Sequence, residues 1–273
     1  MRALEPSEMA EAVGVFLRAF SRPPDTMANR MLRLLSALKE RHVAHFEIAK
    51  HQGAIVGLGG ICSYTSFAFI GWMAVEPAFQ RRGIANALFK RLLHFAEEAG
   101  IPSLALFATP SGEKLYEQWG FQGQYYVASY EILGGRQVVR EEDLETANAL
   151  PDWLLAMDQA AFGGDRSKLL KLLAERGTLI VSDKKGFGFV LNETLGPLIA
   201  ETAETAMDIV AEACEQWGAK RIYILHHPAL SPEFLADLTL RRLPAPACLC
   251  MVSGKPIAED LTHCYAPFRY ATG

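Results

Sequence analysis

One stretch of the chain has residue types that could hold a phosphate group. In residues 75–85 an apolar segment runs through Pro77 into a loop with Arg81, Arg82 and Gly83, and an amphipathic helix follows directly. The first backbone N–H groups of a helix lack partners within it and carry the positive end of its dipole. A glycine that allows close approach and two neighbouring arginines make such a loop suitable for an anion.

The elements around this loop must position it. Apolar residues at 67–75 predict a strand before the loop, and the helix after it is predicted to extend through Ala99. Its apolar face is marked by residues at helical spacing: Ile84, Leu88, Leu92 and Ala96. Gly100 ends this helix, and residues 103–109 predict another apolar strand. The loop is therefore predicted to join a strand and a helix of an α/β fold.

This arrangement resembles motif A of the GNAT acyltransferases, V-x-P-x-x-Q/R-x-x-G-x-G/A. The matching residues are Val75, Pro77, Gln80, Gly83 and Ala85. Downstream, the run Leu115-Tyr116-Glu117-Gln118-Trp119-Gly120-Phe121 resembles the end of motif B of the same family. The resemblance implies binding of the pyrophosphate of acetyl-CoA, as co-substrate, by the residues of the loop: Gln80, Arg81, Arg82, Gly83, Ile84 and Ala85.

The resemblance also implies chemistry, in which an amine attacks the thioester directly within a ternary complex. GNAT enzymes stabilise the carbonyl oxygen with a backbone N–H beside a bulge in the strand before motif A, which points here to Met73, Ala74 and Val75. Tyr116 occupies the position of the general acid, although a tyrosine that only packs against the sheet is the alternative. Thr109 stands where many relatives have an asparagine that contacts the cofactor.

The general base is left open, because the strand at 67–74 contains no acidic residue. The alternatives to a water chain are Glu76 after that strand, His45 with Glu47 on an earlier strand, and the pair His226 and His227. The favoured interpretations are that Glu76 faces solvent, that the earlier strand has a polar edge face, and that the histidine pair belongs to a loop.

The order of predicted elements divides the chain into two lobes. Residues 1–133 are interpreted as a GNAT acyl-CoA-binding catalytic domain, and residues 137–273 as a second GNAT-like lobe that shapes the substrate site or regulates it. Gly134-Gly135-Arg136 is the predicted boundary. The elements predicted in the first lobe are strands at 2–5, 44–50 and 54–64, helices at 7–20 and 25–40, and a last strand pair within 120–132.

A repeat supports this division. Gly100 and Gly218 each end a helix before a strand, at an offset of 118 residues, and strands at 177–183 and 186–192 precede a helix at 204–217. We expect a mixed α/β sheet in two tandem GNAT-like lobes, although a chance match of helix–glycine–strand units is the alternative.

The second lobe is expected to be degenerate in its CoA loop. Glu201 stands at the position equivalent to Gly83, and with Glu204 it would repel a pyrophosphate. Residues 160–166 resemble the second lobe of a subgroup of bacterial tandem GNATs. Within them, Asp165 and Arg166 could clamp an amino-acid-like acceptor, but a helix cap at Asp165 with a solvated Arg166 is favoured.

Composition narrows the function further. The 273 residues carry a net charge of −4, which gives no general affinity for nucleic acid or anionic membranes. No apolar run approaches the ~20 residues that span a bilayer, and no secretory signal is evident. The five cysteines show no zinc-like spacing; Cys248 and Cys250 are predicted to be buried thiols, and no metal is expected. A cytoplasmic location is consistent with this pattern.

Taken together, these features predict an N-acetyltransferase that moves an acetyl group from acetyl-CoA to a primary amine, either a small-molecule amine or an amino-acid-like acceptor. Oligomer formation is compatible with the sequence. Two alternatives remain, a noncatalytic acyl-CoA sensor and a regulatory pseudo-acetyltransferase.

Overall fold

The computed structural model describes residues 1–135, 145–146, 150–268 and 272. The chain forms two compact units, the first comprising Met1–Leu106 with Thr272 and the second beginning at Phe107. Among the helices in the described ranges, none combines the length and apolar character needed to cross a membrane.

The first unit is a mixed sheet with three helices. Its strands are β1 (Arg2–Ala3), β2 (Ala44–His51), β3 (Ala54–Ser63), β4 (Ala68–Val75) and β5 (Ser103–Ala108), whose last two residues belong to the second unit. The strands lie in this order, with every pair antiparallel except the parallel pair β4–β5. The helices are α1 (Met9–Ala19), α2 (Pro24–Glu40) and α3 (Ile84–Glu98).

The core of this unit follows from the spacing of apolar residues. Helix α3 buries Leu88, Phe89, Leu92 and Ala96, which share one face as the helical period predicts. Strand β3 is buried from Ile55 to Cys62, as expected for a strand covered on both faces. Each fully buried leucine or phenylalanine contributes about 1.5–3 kcal/mol, so this face of α3 holds the helix firmly on the sheet.

Within its described residues, the second unit contains five helices and more strands than the first. Its helices are α4 (Glu113–Glu117), α5 (Asp152–Phe162), α6 (Ser167–Ala174), α7 (Ala203–Glu215) and α8 (Pro232–Ala236). Its strands are β6 (Gln122–Gly135), β7 (Glu145–Thr146), β8 (Thr178–Ser182), β9 (Gly186–Leu191), β10 (Thr194–Ala200), β11 (Arg221–His226), β12 (Leu238–Arg242), β13 (Cys248–Gly254) and β14 (Cys264–Ala266). The fold class predicted from the sequence, a mixed α/β sheet, is confirmed.

Strand β6 corrects the predicted last strand pair within 120–132. It is one strand of 14 residues that continues through Gly134 and Gly135. One side of β6 pairs with β11, from Tyr126 to Glu131. The other side pairs first with β13 and then with β12, both antiparallel. A single long strand is thus central among the strands of the second unit, and the three partners described here all come from more than 80 residues further along the chain.

Strand β10, which the sequence did not predict, has two different neighbours on one side. It runs parallel to β11 only at Thr194 and Leu195. After a break in register it pairs with β14 at Leu198 and Ile199 instead. The parallel pair β10–β11 repeats the parallel pair β4–β5 of the first unit. It differs in that the short strand β14 pairs with β10 where the pairing with β11 has stopped.

Candidate functional site

The strand before the basic loop is bulged. Ala74 pairs with Leu58 and Gly71 pairs with Gly60, so that Trp72 and Met73 of β4 stand opposite a single residue of β3. Trp72 has φ 53°, in the left-handed region that such a residue rarely adopts. Its ring packs edge-on against Phe46 at a centroid distance of 5.2 Å, which helps to hold this conformation. The bulge redirects the backbone of Met73, Ala74 and Val75.

Strand β4 also separates from β5 near the bulge. The parallel register joins Ala68, Phe69 and Ile70 to Leu104, Ala105 and Leu106, while β4 itself continues to Val75. The strand therefore reaches the loop with a segment that extends beyond its register with β5. Backbone N–H groups of such a segment are suited to hydrogen-bond a ligand.

The basic loop presents the start of α3 without a side-chain cap. A short 3-10 turn at Pro77–Phe79 leads into it, and Gln80 Nε2 donates to the Val75 carbonyl at 3.1 Å, which ties the loop to the end of β4. Arg81 and Gly83 both have positive φ, 59° and 79°. Gly83 is the N-cap residue, and it has no side chain that could accept a hydrogen bond from the first turn of α3. An anion placed there would supply the missing acceptor.

Apolar packing fixes the orientation of this helix start. Phe79, Ile84 and Met73 pack against a cluster formed by Ala49, Val56 and Leu88. The guanidinium of Arg82 lies 5.1 Å from the centre of the Phe79 ring, a cation–π arrangement that places its charge beside the loop. The predicted residues from Met73 to Ala85 are thus brought together in the first unit.

Two of the candidate bases, Glu76 and Glu47, are each paired with an arginine side chain. Glu76 does not simply face solvent, since both of its carboxylate oxygens lie 3.0 Å from Arg18 Nε. Glu47 is buried, with Arg91 Nε at 2.8 Å and His45 Nε2 at 3.1 Å. Burial opposes its ionisation, but the hydrogen bonds from His45 and Arg91 prevail and lower the pKa of Glu47 to about 2. A carboxylate held this firmly in its charged form is a poor proton acceptor.

The predicted residues Thr109 and Tyr116 belong to the second unit. The Thr109 carbonyl accepts from the backbone N–H groups of Gly112 and Glu113 at 2.7 and 3.2 Å, so Thr109 opens the turn into α4. Tyr116 is 8% exposed. Burial and, secondarily, the neighbouring Cys248 raise the pKa of Tyr116 to about 12, so its hydroxyl keeps its proton at neutral pH.

The histidine pair and Arg166 are also engaged in contacts. His226 ends β11 with its Nε2 3.0 Å from the Tyr130 hydroxyl, and the Nδ1 of His227 accepts from the Ala229 N–H at 3.1 Å. The prediction that the side chain of Arg166 is solvated is wrong. Arg166 is 3% exposed and donates to both carboxylate oxygens of Asp158, with Nη2 at 2.7 Å. Asp165 accepts from the N–H of Ser167 at 2.8 Å, as a residue at a helix start does.

A carboxylate that no sequence pattern indicates is Glu259. Its Oε2 accepts a hydrogen bond from the Tyr125 hydroxyl at 3.3 Å, and burial raises the pKa of Glu259 to about 7. Glu259 lies in an irregular segment between β13 and β14, where neither periodicity nor motif spacing could have identified it.

Family models match both halves of the chain. The model of the acetyltransferase (GNAT) family covers residues 11–121, and that of an acetyltransferase (GNAT) domain covers residues 154–266. Among curated proteins, the uncharacterised N-acetyltransferase YitH of Bacillus subtilis is 28% identical over 235 residues, which are 81% of this chain and 82% of that protein.

Solved structures show the same architecture. The crystal structure of a candidate acetyltransferase from Pyrococcus horikoshii superimposes with a TM-score of 0.90 at 29% identity, covering 100% of this chain and 95% of that one. A tandem GNAT protein from the clavulanic acid biosynthesis pathway has the same fold at 12% identity, with a TM-score of 0.61 and coverage of 93% and 98%.

Proposed function

The chain belongs to the GNAT acetyltransferase family and carries two of its domains in tandem, and from this we propose that it transfers an acetyl group from acetyl-CoA to a primary amine. The single observation that supports this most is the uncapped start of α3, with Gly83 in the left-handed conformation and Arg81 and Arg82 beside it. A pyrophosphate would accept from the first-turn N–H groups and be neutralised by the arginines.

The strand before this loop is proposed to stabilise the reacting carbonyl. When the amine attacks the thioester, its carbonyl oxygen gains negative charge and needs hydrogen-bond donors that are already in place. The bulge in β4 supports this role for the backbone at Met73, Ala74 and Val75, because it breaks the regular pairing with β3 at this point. Loss of one such donor typically slows turnover by about 100–1,000-fold.

Tyr116 is proposed to deliver a proton to the leaving sulfur. A phenol with a pKa of about 12 is a weak acid, so complete proton transfer to a thiolate, whose thiol has a pKa of about 8.5, would be unfavourable by itself. The transfer becomes balanced when the nitrogen of the new amide returns a proton to the tyrosine oxygen. Tyr116 then acts as a relay from nitrogen to sulfur and ends in its original state.

The second lobe, residues 137–273, is proposed to shape the acceptor site without holding a second acyl-CoA, whereas residues 1–133 form the acyl-CoA-binding domain. The start of α7, equivalent to that of α3, is already capped, because Thr202 Oγ1 accepts from the Thr205 N–H at 3.2 Å. Glu204 adds a carboxylate to the same first turn. Strand β14 further supports this proposal. It pairs with β10 beyond the pairing with β11, where an acyl-CoA would need to enter beside β10.

Calorimetric titration of acetyl-CoA, followed by a thiol-release assay with primary amines, tests this function. We expect one binding site per chain and turnover with at least one amine. Tyr116→Phe should keep the affinity and lose most of the turnover, whereas the exposed Tyr126→Phe should change neither. Binding without turnover on any amine would favour the acyl-CoA sensor. Absence of acetyl-CoA binding would refute the proposal, and two sites would refute the assignment of the second lobe.

A further inference from the structure

Glu259 of the second unit lies against a wall of aromatic and thiol side chains. The Tyr125 hydroxyl donates to its Oε2 at 3.3 Å, and the ring of His227 packs edge-on against that of Tyr125 at 5.5 Å. Cys250 pairs directly with Tyr125 across β13 and β6, so their side chains share one face of the sheet. The carboxylate is half-buried, and its hydrogen-bond partner, the Tyr125 hydroxyl, is a neutral group.

This carboxylate has a phenol but no cation as a partner within the part of the chain that the structure describes. The neighbouring carboxylate of Asp158 differs in this respect, since its Oδ1 lies 2.7 Å from Arg166 Nη2. A carboxylate removed from water is costly in its charged form unless a positive group compensates it. A ligand that brings its own cation would therefore be bound favourably here.

The backbone at Glu259 is firmly held. The N–H of the next residue, Asp260, is shared between the carbonyls of Ala160 and Ala161, at 3.2 and 3.1 Å. Gly163 ends α5 with φ 80°, and a Cβ at this position would lie 2.8 Å from Ile257 Cγ2 and 2.9 Å from the Ala258 carbonyl carbon. Glycine is thus required for the close approach of α5 to this segment. The motif at residues 160–166 positions Glu259.

Tyr116 borders the same face of the sheet. Its pKa responds to Cys248, and Cys248 and Cys250 are alternate residues of β13, about 7 Å apart, that both point to this face. Tyr125 and Glu259 lie beside Cys250. Glu259 and the proposed proton relay therefore border the same face, and an amine nitrogen that serves both would lie on this face between them.

We propose that Glu259 binds the ammonium group of the acceptor and then takes a proton from it, which makes the acceptor a primary alkylamine. This proposal rests on the proposed acetyl transfer and adds the base that was left open there. It also gives the second lobe a direct part in catalysis, as the lobe that carries the base.

The step balances in protons and electrons. The ammonium gives one proton to the Glu259 carboxylate, and the nitrogen lone pair then forms the C–N bond to the thioester carbon. As the C–S bond breaks, its electron pair leaves with the sulfur. The second N–H proton passes to the sulfur through Tyr116, giving the amide and the free thiol of CoA. Glu259 finally releases its proton to water.

This assignment predicts a pH dependence. Burial raises the pKa of Glu259 to about 7, so the carboxylate is charged and able to act as a base only above that pH. The titratable groups facing it are Tyr125 from β6, Cys250 from β13 and Cys264 from β14, all of which have raised pKa values and stay neutral, together with His227, whose ring packs against Tyr125. The Asp158–Arg166 pair, which faces Cys264, has no net charge. We therefore expect kcat/KM to rise through one step near pH 7.

The first experiment compares Glu259→Gln, Glu259→Asp and the matched control Glu201→Gln, whose side chain is exposed at the start of α7. Acetyl-CoA affinity should be unchanged in all three. With the amines that the wild type acetylates, kcat/KM should fall at least 100-fold in Glu259→Gln, which should also lose the step near pH 7. Glu259→Asp should recover part of the activity. Wild-type kcat/KM with an intact pH step in Glu259→Gln would overturn the proposal.

A second experiment does not depend on turnover. In protein labelled with 13C-glutamate, the carboxyl signal missing from Glu259→Gln identifies this residue, and butylammonium chloride is the probe. We expect butylammonium to shift this signal and lower its apparent pKa, whereas the neutral analogue 1-butanol should not. No response to butylammonium would overturn the proposal. A response in a protein that binds no acetyl-CoA would support the amine site and refute the acetyl transfer separately.

Discussion

Replacing Gly83 with alanine separates the two roles that this residue combines, a left-handed turn and an open approach to the helix start. Its φ of 79° is unfavourable for alanine, which costs about 1–2 kcal/mol of folding free energy. No heavy atom lies within 4 Å of the position that a Cβ would take, so no clash adds to this cost. We expect the Tm to fall by only a few degrees.

The effect on acetyl-CoA affinity should be larger than the effect on stability. The new methyl group occupies the open space through which a phosphate reaches the first-turn N–H groups of α3. A hydrogen bond to a charged group contributes about 1.5–3 kcal/mol, so the loss of one such bond weakens binding by about 10- to 100-fold. Calorimetry with acetyl-CoA measures this change, and thermal unfolding measures the change in stability.

Gly100 offers a matched control in the same unit. It follows the C-terminus of α3 with φ 66°, and a Cβ there also meets nothing within 4 Å. Gly100→Ala should lose about as much stability as Gly83→Ala and keep its affinity for acetyl-CoA. The reasoning is refuted if both variants bind equally well, or if both lose affinity in proportion to their loss of stability.

Two further predictions concern buried charges. Asp158→Ala leaves the guanidinium of Arg166 buried without its carboxylate, so the free energy of unfolding measured in urea should fall by about 3–5 kcal/mol. The control Glu193→Ala removes an exposed ion pair with Lys220 and should lower it by less than about 1 kcal/mol. A similar loss in both variants would contradict this. The pKa of Glu47 is about 2 in the folded state and 4.5 in the unfolded state. The ionised carboxylate therefore stabilises the fold by about 3 kcal/mol, and this stabilisation is complete above about pH 5 and disappears as the pH falls towards 2. The Tm difference between wild type and Glu47→Gln should therefore shrink over this range, and a constant difference would refute the assignment.

The loop at residues 75–85 could be predicted because everything it needs is local. Pro77 begins the turn, Gly83 permits a positive φ, and the apolar spacing after it defines which face of α3 is buried. Each of these signals acts over a few residues, so the sequence states them directly. The same reasoning predicted most helices and strands of the first unit to within one or two residues.

The features that were missed depend on distant partners. A run such as 120–132 reads as two short strands when its neighbours are unknown, and it becomes one strand because β11, β12 and β13 pair along its whole length. Arg166 reads as a surface residue until Asp158, on the preceding helix, is seen to pair with it. Glu259 acquires its unusual environment only through Tyr125, which is 134 residues away.

The long strand β6 has a consequence for how the protein is made. Arg221, the first residue of β11, follows Gly135 by 86 residues (221 − 135), and β12 and β13 come later still. At about 5–20 residues per second, the ribosome needs about 4–17 s to deliver the first of these partners. Throughout that time both edges of β6 offer unpaired N–H and C=O groups, as a template for other chains. A fragment that ends near residue 135 lacks β11, β12 and β13, so it keeps both edges of β6 open for as long as it exists.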